Sequence, residues 1–161
     1  MKGFGFVIIF GSIFIDQLTK YVVVHIVMSP PLVIEVTSFF NIVMVWNRGA
    51  SFGLFSTTSI WVPTVLVVVA SCISIFLIIW MLQSESRLRI IALALIIGGA
   101  VGNVIDRIFY GAVADFLDFH AFEYHWPAFN AADISISCGV IMLLYDGLIL
   151  GRRNHTFDSR N

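Results

Sequence analysis

Four long apolar runs organise the chain. The first spans about Phe4 to Val27, interrupted by Asp16 and Lys20. The second, Ile60 to Leu82, carries no charge. The third covers about Leu88 to Ile105, and the fourth Ile134 to Leu150, with Asp146 near its end. A helix needs about 20 mostly apolar residues to cross a bilayer, so these runs predict four transmembrane helices. Between the first two runs, Phe39 to Trp46 is apolar, β-branched and aromatic but too short to span, which predicts a strand at the interface. Asn47, Gly49 and Gly53 follow it with turn chemistry. The connection from Asp106 to Asp133 is rich in aromatics (Phe116, Phe119, Phe122, Tyr124, Trp126, Phe129), side chains that favour the headgroup level.

Composition agrees with this pattern. Of 161 residues, 59% are apolar and 12% charged, against about 45–50% and ~25% in soluble domains. The expected fold is therefore an all-α, polytopic membrane protein forming one domain over residues 1–161. A net charge of −1 leaves no basic surface for nucleic acid. With four spans both ends share one side, together with Lys2, Arg87, Arg89, Arg152, Arg153 and Arg160, six of the nine basic residues. The positive-inside rule assigns that side to the cytoplasm. The first run lacks a small-residue cleavage site and reads as a retained helix. Cys72 and Cys138 fall in apolar stretches and read as packing residues. No metal-ligand spacing occurs, so no metal or cofactor is expected.

Ionisable side chains in hydrocarbon need a reason, since each costs about 2.5–3.5 kcal/mol even on the lenient insertion scale. Asp16 and Lys20 share a helix face, as an ion pair snorkelling to the outer interface or as part of a site. Asp146 reads as a solvated interfacial acid. Gly98, Gly99 and Gly102 read as close helix packing. The outer ends of spans three and four are dense in polar groups: Asn103, Asp106 and Arg107, then Asp115, Asn130 and Asp133. Asp133 alone fits a helix cap, and Asp115 alone a loop acid. Together they permit a second reading. Two carboxylates in a partly dry place share one proton, so that one can take a proton from water while the other donates to the carbonyl oxygen of a peptide. No HExxH, phosphate loop or Ser/His pairing competes.

Five segments carry a resemblance: Asp16-Gln17-Leu18-Thr19-Lys20, Asn47-Arg48-Gly49-Ala50-Ser51-Phe52-Gly53, Gly102-Asn103-Val104-Ile105-Asp106-Arg107, Val113-Ala114-Asp115-Phe116 and Phe129-Asn130-Ala131-Ala132-Asp133. In this order the chain resembles the bacterial lipoprotein signal peptidase (signal peptidase II) family. Ala114 stands where Val is common in that family and Ile134 where Ser is common; neither change removes a functional group. The resemblance implies an aspartic endopeptidase of the inner membrane that cuts before the lipidated cysteine of a diacylglyceryl-prolipoprotein. It implies Asp115 and Asp133 as the catalytic pair, and Asn47, Gly49, Asn103, Arg107 and Asn130 as substrate-contacting residues. Asp16, Lys20 and Asp106 would support the site. It also implies a small extracytoplasmic β-cradle, membrane lipid as surroundings, inhibition by globomycin-type lipopeptides and, with lateral substrate entry, a monomer. Two other functions fit the spans: a small transporter or proton-relay subunit using Asp16, Lys20 and Asp106, and a non-catalytic assembly factor.

Overall fold

The computed structural model describes residues 2–49 and 61–150. Gly53, the 50–53 part of the second motif, Ile60, and the tail with Arg152, Arg153 and Arg160 lie outside the described residues.

Four helices are long and apolar enough to cross a membrane. Helix α1 (Lys2–Val22) continues as a π-helical turn, Val23–Val27; α2 is Trp61–Gln83; α3 is Arg87–Tyr110; α4 (Ala131–Tyr145) continues as a π-helical turn, Asp146–Leu150. Helix α3 is the central one, packed against each of the other three. It is buried over 44% of its most apolar window, against 17–28% for the others. Leu77, Met81, Ile90, Leu93 and Ile97 join Ile9 in the core beneath the site. Large apolar residues such as Phe10, Phe14, Ile75, Phe76 and Ile141 face outward, as expected where lipid replaces water. Cys72 and Cys138 also lie on exposed faces, not in packing positions.

Small residues set the helix spacing. A Cβ on Gly99 would collide with the Ala132 carbonyl oxygen, and one on Gly139 would lie 2.5 Å from the Ala92 carbonyl oxygen. Backbone cannot yield as a flexible side chain can, so Gly139→Ala should force α3 and α4 apart. We expect a loss of about 1–3 kcal/mol, read as a lower thermal midpoint in detergent. Gly11→Ala, with nothing within 4 Å, should show no such loss.

A four-stranded antiparallel sheet, order β1-β2-β3-β4, covers one end of the bundle. Its strands are β1 (Ile34–Thr37), β2 (Phe40–Asn47), β3 (Val113–Ala121) and β4 (Tyr124–His125). Strand β2 matches the predicted strand. The aromatic connection forms β3, a hairpin and β4: Phe116 is buried with Val23 and Met28, while Phe122 and Tyr124 are exposed. Helix α3 runs five residues past the predicted Ile105 and stops at Gly111, whose φ of 69° suits a residue without Cβ. Two residues later β3 begins.

Candidate active site

Three local devices bring Asp115 and Asp133 to one place. The αL cap at Gly111 turns the chain from α3 into β3, where Asp115 pairs across the sheet with Val45. The hairpin then returns, so that Phe129 bridges Leu117; the Phe129 carbonyl accepts from the Phe116 and Leu117 amides at 3.1 and 2.9 Å. That pairing delivers Asn130 beside Asp115. Asn130, in an extended conformation, is the N-cap of α4, and Asp133 is its third helical residue. The two form a reciprocal capping box: Asp133 N–H donates to Asn130 Oδ1 and Asn130 N–H to Asp133 Oδ2, each at 3.1 Å. Asp133 is thus inside the first turn, three residues after the cap.

One residue therefore donates to both carboxylates. Asn130, fully buried, gives its side-chain N–H to Asp115 Oδ1 at 2.6 Å and its backbone N–H to Asp133 Oδ2. Asn47 donates to Asp115 Oδ2 at 3.0 Å, and its own oxygen accepts from Gly49 N–H. Asn103 donates to Asp133 Oδ1 at 3.0 Å. Asp115 is 2% exposed, no solvated loop acid, whereas Asp133 is half-buried. Burial pushes the Asp115 carboxyl up to about 6, helped by the neighbouring Asp133 charge and opposed by hydrogen bonds from Asn47 and Asn130. A groove of about 340 Å³, lined by Trp126, Phe129, Ile134 and Ile141, runs down α4 from Asp133.

Arg107 lies one turn after Asn103. Its guanidinium donates to the Gly49 carbonyl at 2.8 Å and to the Asn103 carbonyl at 3.3 Å, tying α3 to the end of β2. Asn103, expected at the substrate, uses its side chain on protein groups: its oxygen accepts from Lys20 at 3.0 Å and from Asn130 at 3.2 Å.

Beneath the carboxylates sits a buried charged group. Lys20 is 4% exposed and bonds Asp16 and Asp106, both at 2.8 Å. Of the two readings open for Asp16 and Lys20, the ion pair forms but does not snorkel: it is buried, and Asp106 on the adjacent helix adds a second anion inside the bundle. Asp146, expected to be solvated, is also buried: two Arg89 nitrogens reach it at 2.7 and 2.8 Å, and Ser86 donates at 3.2 Å. That pair locks the far ends of α3 and α4.

Sequence reading passed over Gln17, whose side-chain amide reaches both Asp16 at 3.1 Å and Asp106 at 2.9 Å. It stands inside a motif, but only the crossing of α1 and α3 reveals its partners. It also passed over a group on the sheet, where His125 meets Asp118 at 2.8 Å and Asn41 donates to the same carboxylate.

Comparison with known proteins gives this geometry a family. The Signal peptidase (SPase) II family profile matches residues 8–149. The lipoprotein signal peptidase of Burkholderia cenocepacia strain HI2424 is 52% identical over 115 residues, 70% of this chain and 68% of that protein. That of Burkholderia thailandensis strain ATCC 700388 is 44% identical over 139 residues, 84% and 82% of the two chains. A bacterial membrane enzyme solved by the in meso method at 2.3 Å resolution aligns with a TM-score of 0.78 and 32% identity, covering 91% of this chain and 88% of its own. With a match running almost end to end and relatives this similar, the chain belongs to the signal peptidase II family of membrane aspartic proteases.

Proposed function

We propose that Asp115 and Asp133 are the catalytic pair of this lipoprotein signal peptidase. On this reading the substrate is a diacylglyceryl-modified prolipoprotein, cut on the amino side of the lipidated cysteine. The observation that carries the assignment is Asn130 donating to both carboxylates from one buried position, which holds them side by side as separate acceptors.

The chemistry follows from the difference between the two sites. Asp115, buried and raised to about 6, holds the proton that the pair shares. Asp133, half-buried and open to the groove, is the base. It takes a proton from water as the water oxygen bonds the scissile carbonyl carbon, and Asp115 protonates the carbonyl oxygen. The tetrahedral intermediate collapses as Asp133 passes its proton to the leaving nitrogen and Asp115 takes one back from an intermediate hydroxyl, which restores the singly protonated pair. The C–N bond breaks, and signal peptide and lipidated cysteine part. Asn47, Gly49 and Arg107, at the rim between β2 and α3, hold polar substrate atoms that would otherwise go unpaired beside hydrocarbon. The signal helix and acyl chains approach along the apolar groove on α4.

Placement in the membrane belongs to the same proposal. Lys2, Arg87 and Arg89 lie at the helix ends away from the sheet, which argues for that end in the cytoplasm and the carboxylates at the outer face of the inner membrane. Residues 1–161 act as one polytopic domain and as a monomer, and globomycin-type lipopeptides compete for the same rim. A proton relay would need acids spaced through the membrane depth, whereas Asp16, Asp106, Asp115 and Asp133 meet at one end.

The test is direct. Purified protein in lipid should convert a lipidated precursor peptide into two products, with a new N-terminus at the modified cysteine. An intact precursor after prolonged incubation overturns the proposal. The pH dependence carries a sign. The active pair holds one proton and loses it as pH rises, and kcat/KM reports the free enzyme. It should therefore fall with an alkaline limb near pH 6, as the Asp115 value requires.

A further inference from the structure

We propose that Lys20 is a positioning residue that fixes both the spacing and the shared charge of the Asp115/Asp133 pair, acting through two carboxylates and one amide without touching substrate. The inference rests on the catalytic assignment above. It arises from a symmetry in the ion pairs and hydrogen bonds that surround Lys20.

The Lys20 ammonium donates to Asp16 and Asn103 at 2.8 and 3.0 Å and forms an ion pair with Asp106 at 2.8 Å. Each partner leads to the catalytic pair by a different route. Asp16 Oδ1 accepts the N–H of Ala132 at 2.9 Å, the residue immediately before Asp133. Asp106 Oδ2 accepts the N–H of Ala114 at 3.2 Å, the residue immediately before Asp115. Asn103 donates to the Asp133 side chain itself and accepts from Asn130, which holds Asp115. One cation thus draws together the two carboxylates that grip the backbone behind each catalytic aspartate.

The neighbours are built for this arrangement. Gln17 spans the same two carboxylates with its amide and also donates to the Gly102 carbonyl at 3.2 Å. A Cβ on Gly102 would collide with the Asp16 carboxylate, so the close approach of α1 to α3 exists to admit that side chain. Without the cation, two buried carboxylates would face each other and repel. The amides of Ala114 and Ala132 would then lose their fixed anchors. Misplacing reacting groups by about 1 Å can cost about 100-fold in rate.

The charge has a second effect. The charged groups that act on Asp115 are Lys20 from α1, Arg107 from α3 and Asp133 from α4; Asp106 from α3 bonds the neighbouring Ala114 amide and Asp16 lies behind Lys20, while β2 contributes the neutral Asn47. Burial is the main influence that raises Asp115, and the Lys20 charge opposes it. Removing that charge makes the pair hold its shared proton to higher pH.

The experiment compares full-length Lys20→Met and Lys20→Arg with wild type on a lipidated precursor peptide, measuring kcat, KM and the pH profile of kcat/KM. Thermal unfolding in the same detergent reports the fold. Lys20→Met should lose about 100-fold in kcat with little change in KM, and its alkaline limb should move up by about one pH unit. Lys20→Arg should keep the limb in place while kcat falls, because a planar fork cannot meet three partners arranged around an ammonium. A Lys20→Met limb that stays with wild type overturns the inference, as does a wild-type kcat in Lys20→Arg. If Lys20→Met is too slow to profile, 13C NMR titration of the Asp115 carboxyl, identified by its loss in Asp115→Asn, reads the same shift. Cleavage by Asp115→Asn or Asp133→Asn would instead defeat the catalytic assignment, whatever Lys20 does.

Discussion

Replacing Asp115 by Asn, or Asp133 by Asn, is expected to lower kcat by about 10⁴-fold, the upper range for loss of a positioned acid or base. The protein should remain folded in the membrane. Each change keeps side-chain volume and one acceptor oxygen. In Asp115→Asn that oxygen can still take one of the bonds from Asn47 and Asn130, and the new NH₂ opposes the other. The local penalty is on the order of 1–3 kcal/mol for one unmade buried bond. What is lost outright is proton transfer. An amide at 115 can donate a hydrogen bond to the carbonyl oxygen but cannot release a proton to it. An amide at 133 cannot accept one from water. Because the carboxylates work as a unit, the double variant should be no slower than either single variant by more than a few-fold. Retention of turnover within about tenfold of wild type in either single variant would remove general acid–base catalysis by that residue.

How much of this was legible in the sequence depends on the range of the interaction. The four spans are written in hydropathy, which is local, and β2 in a run of β-branched and aromatic residues. Strand β3 was not legible, because Val113, Ala114, Asp115 and Phe116 are all buried. With successive residues on both faces of the strand buried, the alternation that marks a half-exposed strand disappears. Helix ends were misplaced for a related reason. Asp106 and Arg107 look like the end of an apolar run, yet α3 continues through them, since Lys20 and the Gly49 carbonyl satisfy their charges. At α4 the Asn-Ala-Ala-Asp spacing is itself a capping signal, and Asn130, not Asp133, takes the cap.

The polar cluster was legible as a set of residues and not as a network. Motif order predicted which side chains meet at one end of the bundle. It did not predict that Asp16 and Asp106 would bond the amides of Ala132 and Ala114, because those bonds depend on helix crossings. Asp146 shows the same limit: an acid near a span end looks solvated until the Arg89 side chain of the neighbouring helix is placed beside it. Solvation of a charge is a property of its surroundings, and a single chain position does not encode them.

Asn130 provides the second large expected effect, because two functions meet in one side chain. It caps α4 through Asp133 N–H, and it holds Asp115 at 2.6 Å. The Ala114 carbonyl and Asn103 oxygen accept from the same NH₂ group at 3.3 and 3.2 Å. Asn130→Ala should therefore lower stability by about 1–2 kcal/mol through the lost cap. It should also lower kcat by about 10³-fold, the middle of the range for a group that sets acid–base geometry. The two effects separate in Asn130→Ser. A serine hydroxyl caps a helix as well as asparagine does, but it is too short to reach Asp115 and Asn103 as well. That variant should unfold at close to the wild-type temperature and still show most of the kcat loss. Its pH profile should change too, since the Asn130 bond holds the Asp115 carboxyl down against the effect of burial; without it the alkaline limb moves to higher pH. Near-normal turnover in Asn130→Ser would reduce Asn130 to a helix cap, and the side-by-side placement of the two carboxylates would then need another cause.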